Sequence, residues 1–332
     1  MLSSSSGGSW GFRIVLVFLA IGVHALPAEA QRQAQGFMLD RFSPSPPGAG
    51  WLVMDALELH GGLGGAIALN TGYANTPLRV TDGSRQLAVV SDYAVADLGF
   101  AITYRRWRFY LNLDLPLAIA GATGTVGGYS FTSPSVNLAS KPDTLSDPRI
   151  GTDVRIADAA NGHFRLGASA QLFVPNGNRT DYNTDGMFRG MVRVLFAGDA
   201  GIFTWAGHLG VHIRLLDDSP APGSAQGSEM LFGVAGGARL TINRSATWAV
   251  VVGPEVYGAT AFRGFFGGNT TVLEGLLGAR LEGTRHDKLQ LRLKLGGGAG
   301  LNQQFGAPVW RLVFSIEIFN HNLRTASPAT IL

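Results

Sequence analysis

Between Trp107 and Leu117 the chain alternates without a break. Trp107, Phe109, Leu111, Leu113, Leu115 and Leu117 share one parity, while Arg108, Tyr110, Asn112 and Asp114 share the other. Successive side chains of a strand point to opposite faces, so this segment makes a strand with one apolar and one charged face. The same pattern recurs down the chain, and its polar rows carry arginines and carboxylates, more charge than the interior of a soluble barrel holds. A soluble, secreted sandwich or lectin-like domain would turn the apolar rows inward. It would then have to bury many long Leu, Val and Phe rows while exposing many aromatics. An all-β, transmembrane antiparallel up-and-down β-barrel satisfies both faces, with apolar residues toward lipid and polar residues toward a wet lumen.

The ends and the composition fit that reading. Arg13 precedes the apolar run Ile14–Val23, and Ala28 and Ala30 follow it. The run falls short of the roughly 20 residues that a spanning helix needs. Residues 1–30 therefore read as a cleavable signal peptide, with a mature start near Gln31. Past it, Gly or a polar residue interrupts every apolar stretch, so any membrane crossing must be made by a closed barrel. Cysteine is absent, which excludes a disulfide scaffold and Cys-ligated metals. The net charge of +3 is spread along the chain, with no basic cluster of the kind that binds nucleic acid. No Pro-rich linker divides residues 31–319, which read as one barrel domain followed by a short C-terminal tail, 320–332.

Tight turns join the expected strands in pairs. Trp51–His60 and Leu63–Tyr73 flank Gly61-Gly62; Tyr93–Tyr104 and Trp107–Leu117 flank Arg105-Arg106. Pro148–Ile156 pairs with Phe164–Val174, Phe188–Ala197 with Phe203–Leu215, Glu229–Ile242 with Trp248–Tyr257, and Thr271–Glu282 with Lys288–Leu295. Val309–Phe319 closes the series. Longer polar connections alternate with these turns, near Asn75–Arg85, Ile119–Ser146, Pro175–Gly186, Asp217–Ser228, Ala259–Thr270 and Asn302–Pro308. Short turns on one rim and long loops on the other are the asymmetry of an outer-membrane barrel. Trp107, Trp205, Trp248 and Trp310 fall at or near strand starts, where an aromatic girdle sits. Trp51 and Asp55 break parity in the first of these strands. Single-chain bacterial barrels favour even counts, so Gln35–Phe42, ahead of the turn Ser43–Gly48, becomes a candidate first crossing. That gives about 14 strands, with about 12 as the alternative.

Several segments resemble a known family. They are Asp40–Ser45, Phe173–Arg179, Leu215–Asp218, Gly253–Gly258, Leu273–Gly278, and Gly300-Leu301 with Phe305–Pro308. In order and spacing they are similar to the N-terminal transmembrane barrels of OmpA-family outer-membrane proteins of Gram-negative bacteria, especially the long myxobacterial type. The likeness covers nearly all of the mature chain. It implies a barrel in the cell outer membrane, surrounded by outer-membrane lipid and lipopolysaccharide and inserted by the barrel-assembly machinery. It also implies a channel role, and it supplies no catalytic residues. The family's peptidoglycan-binding periplasmic domain is not expected, since only a short tail follows Phe319.

Candidate chemical sites are sparse. Asp181, Asn183 and Asp185 open a D-x-N-x-D-G pattern typical of calcium loops, but Val192 stands where the bidentate glutamate should be. An exposed loop is the better reading. His208 and His212 share a strand face but lie roughly 13 Å apart, too far to hold one ion. They read, with His163 on a neighbouring strand, as lumen-facing. No G-x-S-x-G is present, and no helix follows Gly61–Gly65 to make it a phosphate loop. Neither an enzyme nor a cofactor is expected.

By parity, the residues expected to line the lumen are Arg108, Asp114, Arg149, Asp153, Arg155, Arg165, Arg189, Arg193, Arg214, Glu229, Arg239, Glu255, Glu274, Arg280, Arg292, Lys294, Arg311 and Glu317. They would either form ion-pair ladders or set solute preference, with the arginine excess favouring anions. The expected function is a porin-like passive channel for small solutes. The alternative is a structural or adhesion barrel with an occluded lumen.

Overall fold

The computed structural model describes residues 32–320, apart from 60–61, 84, 141–144, 160–161, 218, 220–223, 243–247, 284–288 and 303. The expected signal peptide and all of the tail but Asn320 lie outside the described residues, as do His60 and Gly61. Short segments come first among the strands outside the wall: β1 (Arg32–Gln33), β5 (Gly124–Val126), β6 (Tyr129–Phe131) and β7 (Val136–Asn137). The wall begins with β2 (Leu63–Asp82), β3 (Arg85–Tyr104) and β4 (Trp107–Ala120). It continues with β8 (Arg149–Asp158), β9 (Arg165–Phe173), β10 (Arg189–Ala200), β11 (Phe203–Arg214) and β12 (Glu229–Thr241). The last four strands are β13 (Trp248–Ala261), β14 (Thr271–Gly283), β15 (Gln290–Gly300) and β16 (Trp310–Asn320).

Each wall strand pairs antiparallel with its sequence neighbour in the wall, and β16 returns to β2 with Ile316 opposite Leu69. Twelve strands therefore close the barrel, the lower of the two counts the sequence allowed. Closure gives every wall strand a neighbour on both sides, the condition for spanning hydrocarbon. The turn at Arg105-Arg106 is made by Arg105 in the left-handed region (φ 55), and the β10–β11 turn by Gly201 (φ 62). The Gly83 turn joins strands that run on through what had been expected to be the loop Asn75–Arg85. Residues beyond Asn75 on β2 have no partner on β16, so the β2–β3 hairpin rises past the long-loop rim.

The outer face carries the apolar rows. Leu209, Phe314, Leu295, Val194 and Ile318 are all exposed, and so are Trp107, Trp248 and Trp310 near the rims. A belt of this size on the surface is stable only against lipid.

Two expected strands are not in the wall. Among the described residues, Gln35–Phe42 and residues 51–59 belong to a segment with no ladder to any wall strand and with one internal bridge, Gly50–Asp55. It starts beside β6 at the long-loop rim, where Ala34 N–H donates to Ser130 O. It then runs down the inside of the barrel toward the start of β2. Pro46 and Pro47 are buried in the turn between the two stretches, and in the second stretch the amides of Leu52, Val53 and Met54 donate to the Glu255 carboxylate instead of to a strand. From Ser45 to Leu59 every residue is buried.

The long-loop mouth has its own apolar cluster. Phe37 and Leu39 of the segment pack there with Leu78, Val80, Val89, Val90 and Tyr93 of the tall hairpin. Val126, Phe131 and Val136 of the connection between β4 and β8 complete it. That long glycine-rich connection thus folds back as a cap on the barrel.

Candidate functional site

The inside of the barrel is built from polar wall side chains meeting the segment 34–59. The contacts descend in chain order. Near the long-loop rim, Arg311 binds Asp40 (2.6 and 3.0 Å) while also donating to Glu274 (2.6 Å). Arg41 reaches Glu229 (2.6 Å) and Gln226 (2.9 Å), and Arg149 donates to Ser43 Oγ (2.5 Å) and Pro44 O (3.0 Å). At mid-depth, Glu255 accepts three consecutive backbone N–H groups, from Leu52, Val53 and Met54 (2.7, 2.9 and 3.0 Å). Lys294 donates to Trp51 O (2.9 Å) and pairs with Glu317 (2.5 Å). Toward the short-turn rim, Arg108 holds Asp55 and Asp153 together, and Arg292 gathers Glu58 (3.1 Å), Glu282 (2.8 Å) and Glu317 (3.1 Å).

Glycines of the wall make room for the segment. A Cβ on Gly296 would stand 2.3 Å from Leu52 Cδ1, and one on Gly233 2.4 Å from Met54 Cε. Glycine inside a strand marks close approach of another chain segment, and here that segment is the chain's own start.

The remaining expected lining residues are placed as follows. Arg165 pairs with Asp199 (2.8 Å), Arg189 with Asp147 (3.0 Å), Arg155 with Asp158 (3.6 Å), and the half-buried Arg239 with Glu282 (2.5 Å). Arg280 lies between Glu282 (3.3 Å) and Glu58 (4.0 Å), its guanidinium over the Trp51 ring. Arg214 binds Asp185 and Glu229. Arg193 has only a 3.4 Å contact to Ser169 Oγ. Asp114 is half-buried, opposite Asp97 on β3, whose carboxylate accepts from Asn70 (2.7 Å) and Asn112 (2.8 Å).

Sequence reasoning missed Asp40, Arg41, Asp55 and Glu58. The signal for Asp55 was present as a break in parity.

The calcium pattern is occupied by protein groups. Asp185 accepts from Arg214 Nε and Nη2 (both 2.7 Å) and from Met38 N–H (2.8 Å), while Asn183 Oδ1 accepts from Asn178 N–H (2.9 Å). Burial alone would raise Asp185, but the Arg214 guanidinium, its hydrogen bonds and Arg189 hold the carboxyl well below the usual carboxylate range. His163 Nδ1 lies 2.9 Å from Asp199 O. His208 and His212 are both buried, and His212 sits 3.7 Å from Glu229. Among the described residues, no three His, Asp or Glu side chains are grouped to hold a metal ion.

The internal cavities left between segment and wall are small. One of about 30 Å³ lies beside Met38, Asp40, Tyr93 and Asp97, and another of about 30 Å³ lies beside Arg41, Arg193 and His208. Among the described residues, the segment and the inward side chains of the wall bury one another.

With the closed wall, outward apolar belt and segment-to-wall contacts established, known structures provide the comparison. The chain is similar to an outer membrane channel from Pseudomonas putida F1, with 14% identity over 80% of this chain and 97% of that one, at a TM-score of 0.50. The fold is that of an outer-membrane β-barrel. Its apolar belt places it in the outer membrane. Weaker likenesses include the NanC porin (8% identity, 78% of this chain and 99% of that one, TM-score 0.43) and the CymD monoaromatic hydrocarbon channel (10%, 80% and 90%, TM-score 0.41). At these identities the likeness is one of fold. No family model and no curated protein matches this outer-membrane barrel.

Proposed function

We propose that this barrel is a passive, non-enzymatic outer-membrane channel for small solutes, closed in the present conformation by its own segment 34–59. One observation carries the reading: at every depth charged and hydrogen-bonding wall groups contact the segment, beside a mid-depth apolar cluster in which Trp51, Leu52, Val53 and Met54 pack with Leu195, Val251 and Tyr257. The polar contacts exchange for water and solute at far smaller cost than an apolar core would. Displacing the segment would expose a polar wall in which arginine outnumbers carboxylate, and anions would then pass in preference. The motif resemblance to OmpA-family barrels supports the same membrane setting, with lipopolysaccharide outside and the barrel-assembly machinery as the insertion route. The similar barrel from Pseudomonas putida F1 is an outer membrane channel, which agrees with transport.

A second reading has an observation of its own. The apolar cluster at the long-loop mouth, built partly from Phe37 and Leu39, packs the start of the segment like a core. That favours a structural or adhesion barrel whose lumen stays filled.

Planar-bilayer recording separates the two. The intact barrel should show rare or small conductance steps. A variant with Asp40→Asn, Asp55→Asn and Glu58→Gln, which loosens the segment without shortening the chain, should open frequently and select for anions. Silence of a properly folded loosened variant under all voltages would leave the structural reading standing.

A further inference from the structure

Arg193 differs from its neighbours on the inner wall. Arg108, Arg214, Arg292 and Arg311 each bind two or more carboxylates. Arg193, only 7% exposed, forms no ion pair among the described residues, and its Nε has no hydrogen-bond partner. A buried guanidinium that contacts no carboxylate directly is costly, and proteins resolve it with a hydrogen-bond partner or a bound ion.

The surroundings of Arg193 supply the second observation. It borders the cavity of about 30 Å³ between β10, β11, β13 and the segment, together with Arg41, Ser43, Val53, His208 and Tyr257. Arg41 Nε and His208 Nδ1 are also buried without a hydrogen-bond partner, and no carboxylate lines the space. Glu229 is committed to Arg41 and Arg214, and Asp55 to Arg108. Three residues that line one small chamber with no carboxylate in its lining, Arg41, Arg193 and His208, thus each carry a buried nitrogen without a hydrogen-bond partner. The chamber's volume exceeds the 10–15 Å³ or so that one water-sized occupant requires, and leaves no room for a large organic anion.

We propose that Arg193, Arg41 and His208 form a binding site for one small monovalent anion of halide size, seated inside the barrel between wall and segment. The site goes beyond the channel reading and stands whether or not the barrel conducts. A bound halide would neutralise Arg193 and, through Arg41, tie β10 to the segment.

Bromide is the probe. Crystals of the refolded barrel grown in sodium bromide should show an anomalous peak at hydrogen-bonding distance from Arg193 Nε and Arg41 Nε. In detergent at constant ionic strength, the thermal midpoint should rise and saturate with bromide but not with gluconate, which is too large for the chamber. Arg193→Met should weaken the apparent bromide affinity at least about tenfold. If that variant does not fold, the crystal experiment on the unaltered chain still decides. Ordered water in the chamber without an anomalous peak, combined with equal midpoints in bromide and gluconate, would overturn the site. Bilayer silence with a bromide peak would keep the site and remove only the channel.

Discussion

The chain crosses this barrel in two ways, twelve times as wall strands and once through the middle. Most of the wall crossings keep parity because each strand separates two different solvents. Leu209 stands 52% exposed on β11 toward lipid, while its neighbour His208 is 7% exposed inside. The central crossing meets the same wall on every side. From Ser45 to Leu59 it is buried throughout, with Trp51, Leu52 and Val53 followed closely by Asp55 and Glu58. Parity thus reports a boundary between two environments, and a segment with a single environment has no reason to show it. The central crossing is ordered by pairing together with apolar packing: each of its charged residues has a wall partner at the matching depth, and Trp51 to Met54 sit in a buried apolar cluster with the wall.

That contrast can be broken at its most charged point. Arg292 contacts Glu58 of the segment together with Glu282 and Glu317 of the wall. Arg292→Met leaves three carboxylates buried around an apolar side chain and should cost about 3–5 kcal/mol. Urea unfolding in detergent, followed by tryptophan fluorescence, measures it. An unchanged midpoint would mean that the interior is wet and that pairing does not order the segment. On the other face, Leu209→Arg places a guanidinium near the middle of β11 toward lipid. It should cost about 2–4 kcal/mol in a vesicle-based folding equilibrium, the range for a basic residue at the bilayer midplane.

A third test addresses the sockets. Gly296→Val would drive a branched side chain into Leu52 and should cost about 1–3 kcal/mol by overpacking. It should also increase proteolysis within 34–59 while the wall remains resistant. Gly190→Ala is the internal control. Nothing lies within 4 Å of the added Cβ, so stability should move by no more than about 0.5 kcal/mol. Equal effects at the two glycines would remove the close approach of segment to wall.

The wall was legible because its determinants are local. Most wall strands from Leu63 onward carry their own two-sided pattern and their own turn chemistry, as at Arg105-Arg106 and Gly201. The β2–β3 hairpin was read too short because its upper part rises past the rim, where Leu78, Val80 and Val89 turn inward to the apolar cap and lipid no longer enforces parity. The segment was read as strands because its apolar residues are dense enough to imitate them. Its true surroundings depend on partners hundreds of positions away: Asp40 on Arg311, Leu52 on Glu255, Glu58 on Arg292. No window of sequence contains both halves of those pairs. Asp55 was the local clue, and it is weak alone.

The gentlest test lies where segment and outer loop meet. Asp185 accepts from Met38 N–H and from Arg214, so it joins the loop between β9 and β10 to the start of the central crossing. Its folded-state carboxyl is held below the ordinary value, so the stability it adds is fully present above the unfolded pKa of about 4. That contribution is lost only as pH falls through the lower folded value. Asp185→Asn should cost about 1–2 kcal/mol at neutral pH, because the charge-assisted bonds to Arg214 weaken while the amide oxygen still accepts one hydrogen bond. The gap between the two thermal midpoints should stay constant from pH 8 to about 5, then narrow below about pH 4. A gap that closes already between pH 7 and 5 would show the carboxyl titrating high, and the link between loop and segment would then not be the ion pair with Arg214.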